Sequence, residues 1–453
     1  MKKRIVILGS GESGTGAALL AKHLGYDVFV SDEGAIKPEY KAELDRAGIA
    51  WEENQHTLDQ IGNASEIIKS PGIPEKTEVM KAVRERGINV IGEIEFGWRH
   101  AGKCKIVAIT GSNGKTTTTE LTYHLLHTAG LDVRKGGNVG NSFARMVLED
   151  LKEHRDTEAQ RVFVLEMSSF QLDDIQQFRP KVAMLLNITP DHLDRYNYRL
   201  EEYAAAKFRV TMNQRRGDVF IYNGFDPVVL SGGSTLSRAT TTPPKAIAIR
   251  KGFYKNGQIR IGKSQVFDMT KGALRGPHNM FNAVCAIRTA LLLGADAAKI
   301  QEGLNTFTPP PHRLEKVAEI GGVTWINDSK ATNVDSVFYA LQAMDTPTVW
   351  MVGGTDKGND YTPLLKLVKQ KVKAIVCMGV DNSKIIKVFG KMKKPLVETK
   401  SAEEAVKAAK GFAAAGDTVL LSPACASFDL FKNYEDRGAQ FREAVQNLIT
   451  HNS

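Results

Sequence analysis

Lys105-Ile-Val-Ala-Ile-Thr110 runs directly into Gly111-Ser-Asn-Gly-Lys115-Thr-Thr117, and the reading of this stretch decides the fold. An apolar β-branched run, a glycine turn, a lysine and the helical pattern of Thr118–His127 give strand, loop and helix N-terminus in order. Backbone N–H groups at such a helix start point at an anion, and a lysine beside them adds positive charge at the β- and γ-phosphates of a nucleotide. Thr116 offers a hydroxyl to magnesium. The strict phosphate-loop spacing requires glycine at position 109, where Ile109 stands, so the loop is a variant of that pattern. Gly111, Ser112, Asn113, Gly114, Lys115, Thr116 and Thr117 are the candidate ATP contacts.

Outward from this loop, apolar strands alternate with helical patterns, as parallel sheets covered by helices require. The expected strands are Arg4–Leu8, Val28–Ser31, Lys105–Thr110, Val162–Glu166, Val182–Asn187, Val323–Asn327, Val349–Gly353, Ala374–Gly379 and Thr418–Ser422. The fold class is α/β. A helix beginning near Glu93 ends in His-Ala-Gly-Lys before the phosphate-loop strand, and Pro309, Pro310 and Pro311 stop another helix near Thr306. These breaks predict three domains, 1–101, 102–308 and 309–453, in line with roughly 150 residues per domain. Ser231–Pro244, rich in Ser, Thr and Pro, reads as a surface loop of the middle domain.

Polar residues follow the apolar runs of the middle domain: Val162–Leu165 stops at Glu166-Met-Ser-Ser-Phe-Gln171, and Val182–Leu186 at Asn187-Ile-Thr-Pro-Asp-His192. Ligands of open parallel sheets bind outside the carboxyl ends of the strands, so Lys115, Glu166 and His192 are expected to converge there. A carboxylate and an imidazole beside a triphosphate point to metal ligation.

Thr110–Thr117, Glu166–Gln171, Asn187–His192, Tyr203-Ala-Ala-Ala-Lys207, Gly276-Pro-His-Asn279-Met-Phe-Asn282 and Pro311-His-Arg313 together resemble, in order, the ATP-binding and central motifs of the Mur ligases. The resemblance implies a Rossmann-like first domain, a central P-loop ATPase-type domain and a Rossmann-like third domain. It also implies that Lys115 and Thr116 hold the phosphates and a first Mg2+, with two ions in all. Glu166 and His192 serve the metals, and Asn279, Asn282, Arg313 and Asp328 meet ATP. Lys207 is implied to be carbamylated, which replaces a cation that repels Mg2+ by the anionic oxygens this hard ion prefers. Lys115, His192, Lys207 and Asn138 form the implied catalytic set.

In the third domain, Asn327-Asp-Ser-Lys330-Ala-Thr332-Asn333, Gly353-Gly-Thr-Asp-Lys357-Gly and Ser422-Pro-Ala-Cys-Ala-Ser-Phe428-Asp429 again follow strands. They resemble the D-glutamate-adding members of the same family, which extend UDP-N-acetylmuramoyl-L-alanine with ATP through an acyl phosphate. Lys330, Thr332, Lys357, Ser422 and Phe428 are then implied to surround D-glutamate, whose two carboxylates call for cationic and hydroxyl donors. An Asp-Asn-Pro-Arg motif, the mark of the diamino-acid-adding relatives, is absent from the sequence.

The first domain opens Ile7-Leu8-Gly9-Ser10-Gly11-Glu12-Ser13-Gly14, with Asp32 closing the next strand. A GxGxxG loop with a following acid fits a dinucleotide and an NAD-dependent oxidoreductase. It fits a UDP-sugar equally, since a helix N-terminus recognises phosphate rather than nicotinamide. Ser70-Pro-Gly-Ile73 and Gly136-Gly-Asn138 resemble the family's UDP-substrate elements, so Gly11, Ser13, Gly14, Thr15, Asp32, Ser70, Gly72, Asn138 and Gln171 are the implied contacts of that substrate. A phosphate-loop motor and a non-catalytic nucleotide-binding module remain as further readings.

The whole chain of 453 residues carries a net charge of +9, which favours a polyanionic substrate. Its basic residues are spread along the sequence, which argues against nucleic acid. Four separated cysteines give neither a zinc motif nor a disulfide frame. No apolar run approaches the ~20 residues of a membrane span, and the basic start runs at once into a glycine turn rather than a signal-peptide core. The expected protein is a cytoplasmic monomer whose partners are small molecules, with no membrane partner.

Overall fold

The structure, a computed structural model, describes residues 2–153, 161–232, 243–262 and 264–450. The first sheet holds β1 (Arg4–Leu8), β2 (Asp27–Ser31), β3 (Ala50–Glu52), β4 (Glu66–Lys69) and β5 (Val90–Gly92), all parallel, in the order β3-β2-β1-β4-β5. Val6, Ile7 and Leu8 of β1 are fully buried, as a strand covered by helices on both faces must be.

The second sheet is also parallel. It contains β6 (Lys105–Thr110), β7 (Val133–Gly137), β8 (Val162–Glu166), β9 (Val182–Leu185), β10 (Val219–Asn223) and β11 (Lys245–Ile249), in the order β11-β10-β9-β6-β8-β7. β6 therefore stands between β8 and β9, and the sheet grows away from it in both directions. A small antiparallel sheet of β12 (Tyr254–Lys255), β13 (Gln258–Ile261) and β14 (Gln265–Asp268) follows.

The third large sheet holds β15 (Glu315–Ile320), β16 (Val323–Asn327), β17 (Thr348–Gly353), β18 (Val372–Met378), β19 (Leu396–Thr399) and β20 (Thr418–Ala424), in the order β15-β16-β20-β17-β18-β19. Only the edge strand β15 is antiparallel to its neighbour. Apolar clusters cover both faces, one around Trp350 and Phe389, the other around Trp325 and Phe441.

The chain separates into two compact units, residues 1–272 with 281–307, and residues 273–280 with 308–453. Within the first, one apolar cluster runs from Ile7 and Leu20 through Phe96 and Phe143 to Phe163 and Leu185, joining the first and second sheets. Close helix approach makes this possible. A Cβ on Gly16 would lie 2.0 Å from Ser142 Oγ, and one on Gly97 would lie 2.9 Å from the Phe143 ring. Polar ties complete the joint. Glu95, fully buried, accepts from the backbone N–H groups of Gln176, Gln177 and Phe178 at 2.9, 2.9 and 2.8 Å, and Lys69 pairs with Asp174 at 2.9 Å.

Two readings change. The strand expected over Val182–Asn187 stops at Leu185, because Asn187 turns to hydrogen-bond the phosphate loop. Most of the expected loop Ser231–Pro244 lies outside the described residues, but Ser231 is helical, as are residues 227–232, and its hydroxyl donates back to Val228 O at 2.9 Å.

One close approach invites a test. A Cβ at Gly14 would stand 1.8 Å from Gly9 O, a backbone atom that cannot swing away. Gly14→Ala is expected to destabilise the first unit by about 3 kcal/mol, seen as a lower urea midpoint; an unchanged midpoint would show that the loop relaxes freely.

Candidate active site

The phosphate loop is built by local glycine geometry and closed by its neighbours. Gly114, with φ +84°, is the left-handed N-cap of helix Lys115–Thr128, and its missing Cβ leaves room for Asn282, whose Oδ1 a side chain would meet at 2.8 Å. Asn113 N donates to Asn187 Oδ1 at 2.8 Å and Asn187 Nδ2 returns a bond to Asn113 O at 3.0 Å. Ser112 Oγ accepts from Thr189 N at 2.9 Å. The residues after β9 thus brace the loop after β6. Lys115 folds its ammonium back onto Gly111 O and Ser112 O, both at 2.9 Å.

Lys207, on helix Leu200–Phe208, reaches the same place. Its Nζ donates to Gly111 O at 2.8 Å and lies 4.5 Å from the centre of the Tyr203 ring. The side chain is 1% exposed, and burial holds its amine well below the ordinary lysine range, with the charge of Lys115 adding to the effect.

On the other side of β6, Glu166 closes β8 in register with Ile109. It is 3% exposed; Oε1 accepts from Asn138 Nδ2 at 2.9 Å, while Oε2 is buried without a hydrogen-bond partner. An orphaned buried carboxylate oxygen beside a phosphate loop is what a divalent cation needs. His192, left-handed at φ +52° and half-exposed, stacks edge-on against Phe170, with Nε2 3.7 Å from Asp191 Oδ2. Among the described residues, no three His, Cys, Asp or Glu side chains gather as a ready-made metal cage. The donors present, one buried carboxylate, the Thr116 hydroxyl and an imidazole, suit Mg2+, which keeps waters and takes most ligands from substrate phosphate.

The first sheet supplies a cavity of about 500 Å³, lined among others by Gly11, Ser13, Asp32, Ser70, Gly72 and Asn138. Six of the expected substrate contacts therefore share one wall. Asp32 accepts from Ser10 N and Oγ at 2.7 and 2.6 Å, which shapes the glycine loop. Three expected contacts do not line the cavity. Gly14 packs against Gly9, Thr15 turns its buried hydroxyl to Ser10 O at 3.0 Å, and Gln171 spends its Oε1 on a capping box with Ser168.

Three residues in the lining or bonded to it escaped the sequence reading. Glu12 holds Arg145 through two bonds of 2.8 and 3.0 Å, a pairing across 133 residues that no local pattern announces. Arg195 lies over the Phe170 ring at 4.5 Å and donates to Gly72 O at 3.0 Å, so the second sheet steadies the Ser70–Thr77 wall. His56 is a third.

In the second unit, the clusters after β16, β20 and β17 come from adjacent strands. Ser422 Oγ donates to Asp328 Oδ2 at 2.8 Å, and burial pushes the Asp328 carboxyl up to about 7. The expected nucleotide contact Asp328 is therefore bonded to the expected amino-acid contact Ser422. Lys330 sets its ammonium over the Tyr434 ring at 3.7 Å. Thr332 is half-buried, Lys357 is exposed and Phe428 is 71% exposed. Asn279 donates to Arg275 O at 2.9 Å within the same unit, and Arg313 lowers the Asp328 carboxyl against its burial.

Three stretches match family descriptions: residues 4–79 the MurD N-terminal domain, 109–290 the Mur ligase middle domain and 312–425 the Mur ligase, glutamate ligase domain. In fold the chain is like MurC, the UDP-N-acetylmuramate-alanine ligase of Thermotoga maritima, with a TM-score of 0.59 at 19% identity over 99% of this chain and 100% of that one. MurF of the same organism, solved with ADP, gives 0.59 at 15% identity over 94% and 96%. The chain belongs to the Mur ligase family, the ATP-dependent ligases of peptidoglycan synthesis. Within that family it is 49% identical to the UDP-N-acetylmuramoylalanine–D-glutamate ligase of Christiangramia forsetii over 99% of this chain and 100% of that protein. It is 47% identical to the enzyme of the same name from Bacteroides fragilis over 98% and 100%.

Proposed function

We propose that this chain joins D-glutamate to UDP-N-acetylmuramoyl-L-alanine, releasing ADP and phosphate. The observation that carries the reading is the course of the first cavity. Its lining follows the strand ends across the sheet, from His56 after β3 and Asp32 after β2, through the glycine loop after β1 and Ser70–Thr77 after β4, to Asn138. Asn138 is bonded to Glu166 beside the phosphate loop. A nucleotide-linked substrate whose pyrophosphate lies at the helix start Glu12–His23 then presents its far end to the nucleotide site.

In this reading the L-alanyl carboxylate attacks the γ-phosphate of ATP, forming an acyl phosphate and ADP, and the amine of D-glutamate displaces phosphate to leave the amide. Carboxylate and triphosphate repel each other, so Lys115 offsets the charge at the transferring group. Asn138 and His192 orient the acyl group. Thr116, Glu166, His192 and Lys207 as its carbamate would hold two Mg2+ ions, which supply charge neutralisation at the phosphates. Asn279, Asn282, Arg313 and Asp328 take the nucleotide, and Lys330, Thr332, Lys357, Ser422 and Phe428 take D-glutamate. The division of labour follows the domains 1–101, 102–308 and 309–453. The protein acts as a monomer in the cytoplasm; among the described residues no helix is long and apolar enough to cross a membrane.

Phosphate release from ATP with Mg2+ and UDP-N-acetylmuramoyl-L-alanine tests this directly. It is expected with D-glutamate and not with L-glutamate, L-alanine or a diamino acid, together with an amide of the matching mass. Release with another amino acid keeps the ligase and reassigns the amino-acid site, and release with none sinks the reading.

A further inference from the structure

His56 lines the far end of the cavity, and its hydrogen bonds fix which ring nitrogen carries the proton. Ser31, fully buried at the end of β2, lies 2.7 Å from Glu52 Oε1 and 2.7 Å from His56 Nδ1. Glu52 also accepts from Thr57 N and Oγ1 at 2.8 and 2.6 Å, bonds that hold its carboxyl below the usual range against partial burial. An ionised carboxylate only accepts, so the single Ser31 hydroxyl proton goes to Glu52 at 2.7 Å rather than to the more distant Gln55 O at 3.5 Å. The Ser31 oxygen is then left to accept from His56, which places the imidazole proton on Nδ1 and a lone pair on Nε2. Nε2 has no hydrogen-bond partner among the described residues.

The place of this nitrogen gives its use. Adjacent strands are about 4.8 Å apart, so the end of β3 lies two strand spacings, about 10 Å, from the glycine loop at the end of β1. That is the span from a pyrophosphate across a ribose to a base. A uracil ring offers one N–H donor, at N3, on its pairing edge, whereas cytosine carries a bare acceptor there. We infer that His56 Nε2 is the acceptor that reads N3–H of the substrate's uracil, with Ser31 and Glu52 as positioning residues that lock the tautomer. This rests on the UDP reading of the cavity. Burial keeps the ring neutral despite the pull of Glu33, Asp32 and Glu52, the carboxylates that face it.

The test compares UDP with CDP as ligands of the full chain by calorimetry. The wild type is expected to favour UDP on the order of tenfold to a hundredfold, the effect of meeting rather than stranding one partly buried acceptor. His56→Ala should weaken UDP and leave CDP little changed, collapsing the ratio; His56→Gln, whose amide oxygen can accept, should restore part of it. Ser31→Ala should lower the ratio without removing the ring, and a two-bond nitrogen spectrum of the wild type should show the proton on Nδ1. A wild-type ratio near one, a ratio unchanged in His56→Ala, or a proton on Nε2 overturns the assignment while leaving the UDP cavity intact. Failure of UDP to bind the wild type overturns both.

Discussion

Lys115→Ala is expected to cut phosphate release by at least about 10³-fold, the scale on which a cation at a transferring phosphoryl group acts. The reason is electrostatic. The reaction as proposed brings a carboxylate to a triphosphate, and Lys115 is the cation that the loop itself carries, held by Gly111 O and Ser112 O at the start of helix Lys115–Thr128. The braces from Asn187 and Thr189 do not pass through its side chain, so the loop should keep its shape and the variant should unfold at the wild-type urea midpoint. Quenched-flow trapping of the acyl phosphate, before any amine is added, separates this step from the second. Normal trapping in Lys115→Ala would remove the lysine from phosphoryl transfer.

Lys207→Ala should lose activity on the order of 10²-fold or more. Burial, with the charge of Lys115 adding to it, holds the Lys207 amine well below the ordinary lysine range, which makes the lone pair that carbon dioxide needs easier to expose. As a carbamate it would face the metal with oxygens rather than with charge of the wrong sign. The decisive readout is rescue: short-chain carboxylic acids should restore part of the rate in Lys207→Ala and none in Lys115→Ala. A Lys207→Ala enzyme that is fully active, or one that no carboxylic acid restores, would leave the lysine as a brace for the loop and nothing more.

What the sequence discloses depends on how far apart the participants lie along the chain. The phosphate loop is legible because glycine, lysine and helix start are contiguous, and Glu166 and Asn187 because each follows an apolar strand. The cavity of the first sheet is legible only in part. Gly11, Ser13 and Asp32 sit at readable strand ends, but Glu12 finds Arg145 and Arg195 finds Gly72 through packing that no periodicity encodes. His56 follows a three-residue strand of half-exposed character, too short to stand out as one. Gln171 is the converse case: its motif points to substrate, and in the structure its side chain completes the capping box of the helix beginning at Ser169, which the motif alone does not announce. Strand β9 is overrun by two residues for a related reason, since the apolar run continues through Leu186 while the backbone already turns toward the loop.

The joint between the first two sheets has a consequence for which substrates can react. Glu95, gripping three successive backbone N–H groups, and the Lys69–Asp174 pair tie the first sheet to the residues that follow β8, so the segments carrying the cavity lining are held at a set separation. With the substrate seated as proposed, the span from the far end of that cavity to Asn138 would act as a fixed gauge. A donor molecule one residue longer or shorter would seat its nucleotide as firmly as the true one, yet deliver its carboxylate past or short of the reactive point, so chain length would be judged by turnover rather than by binding.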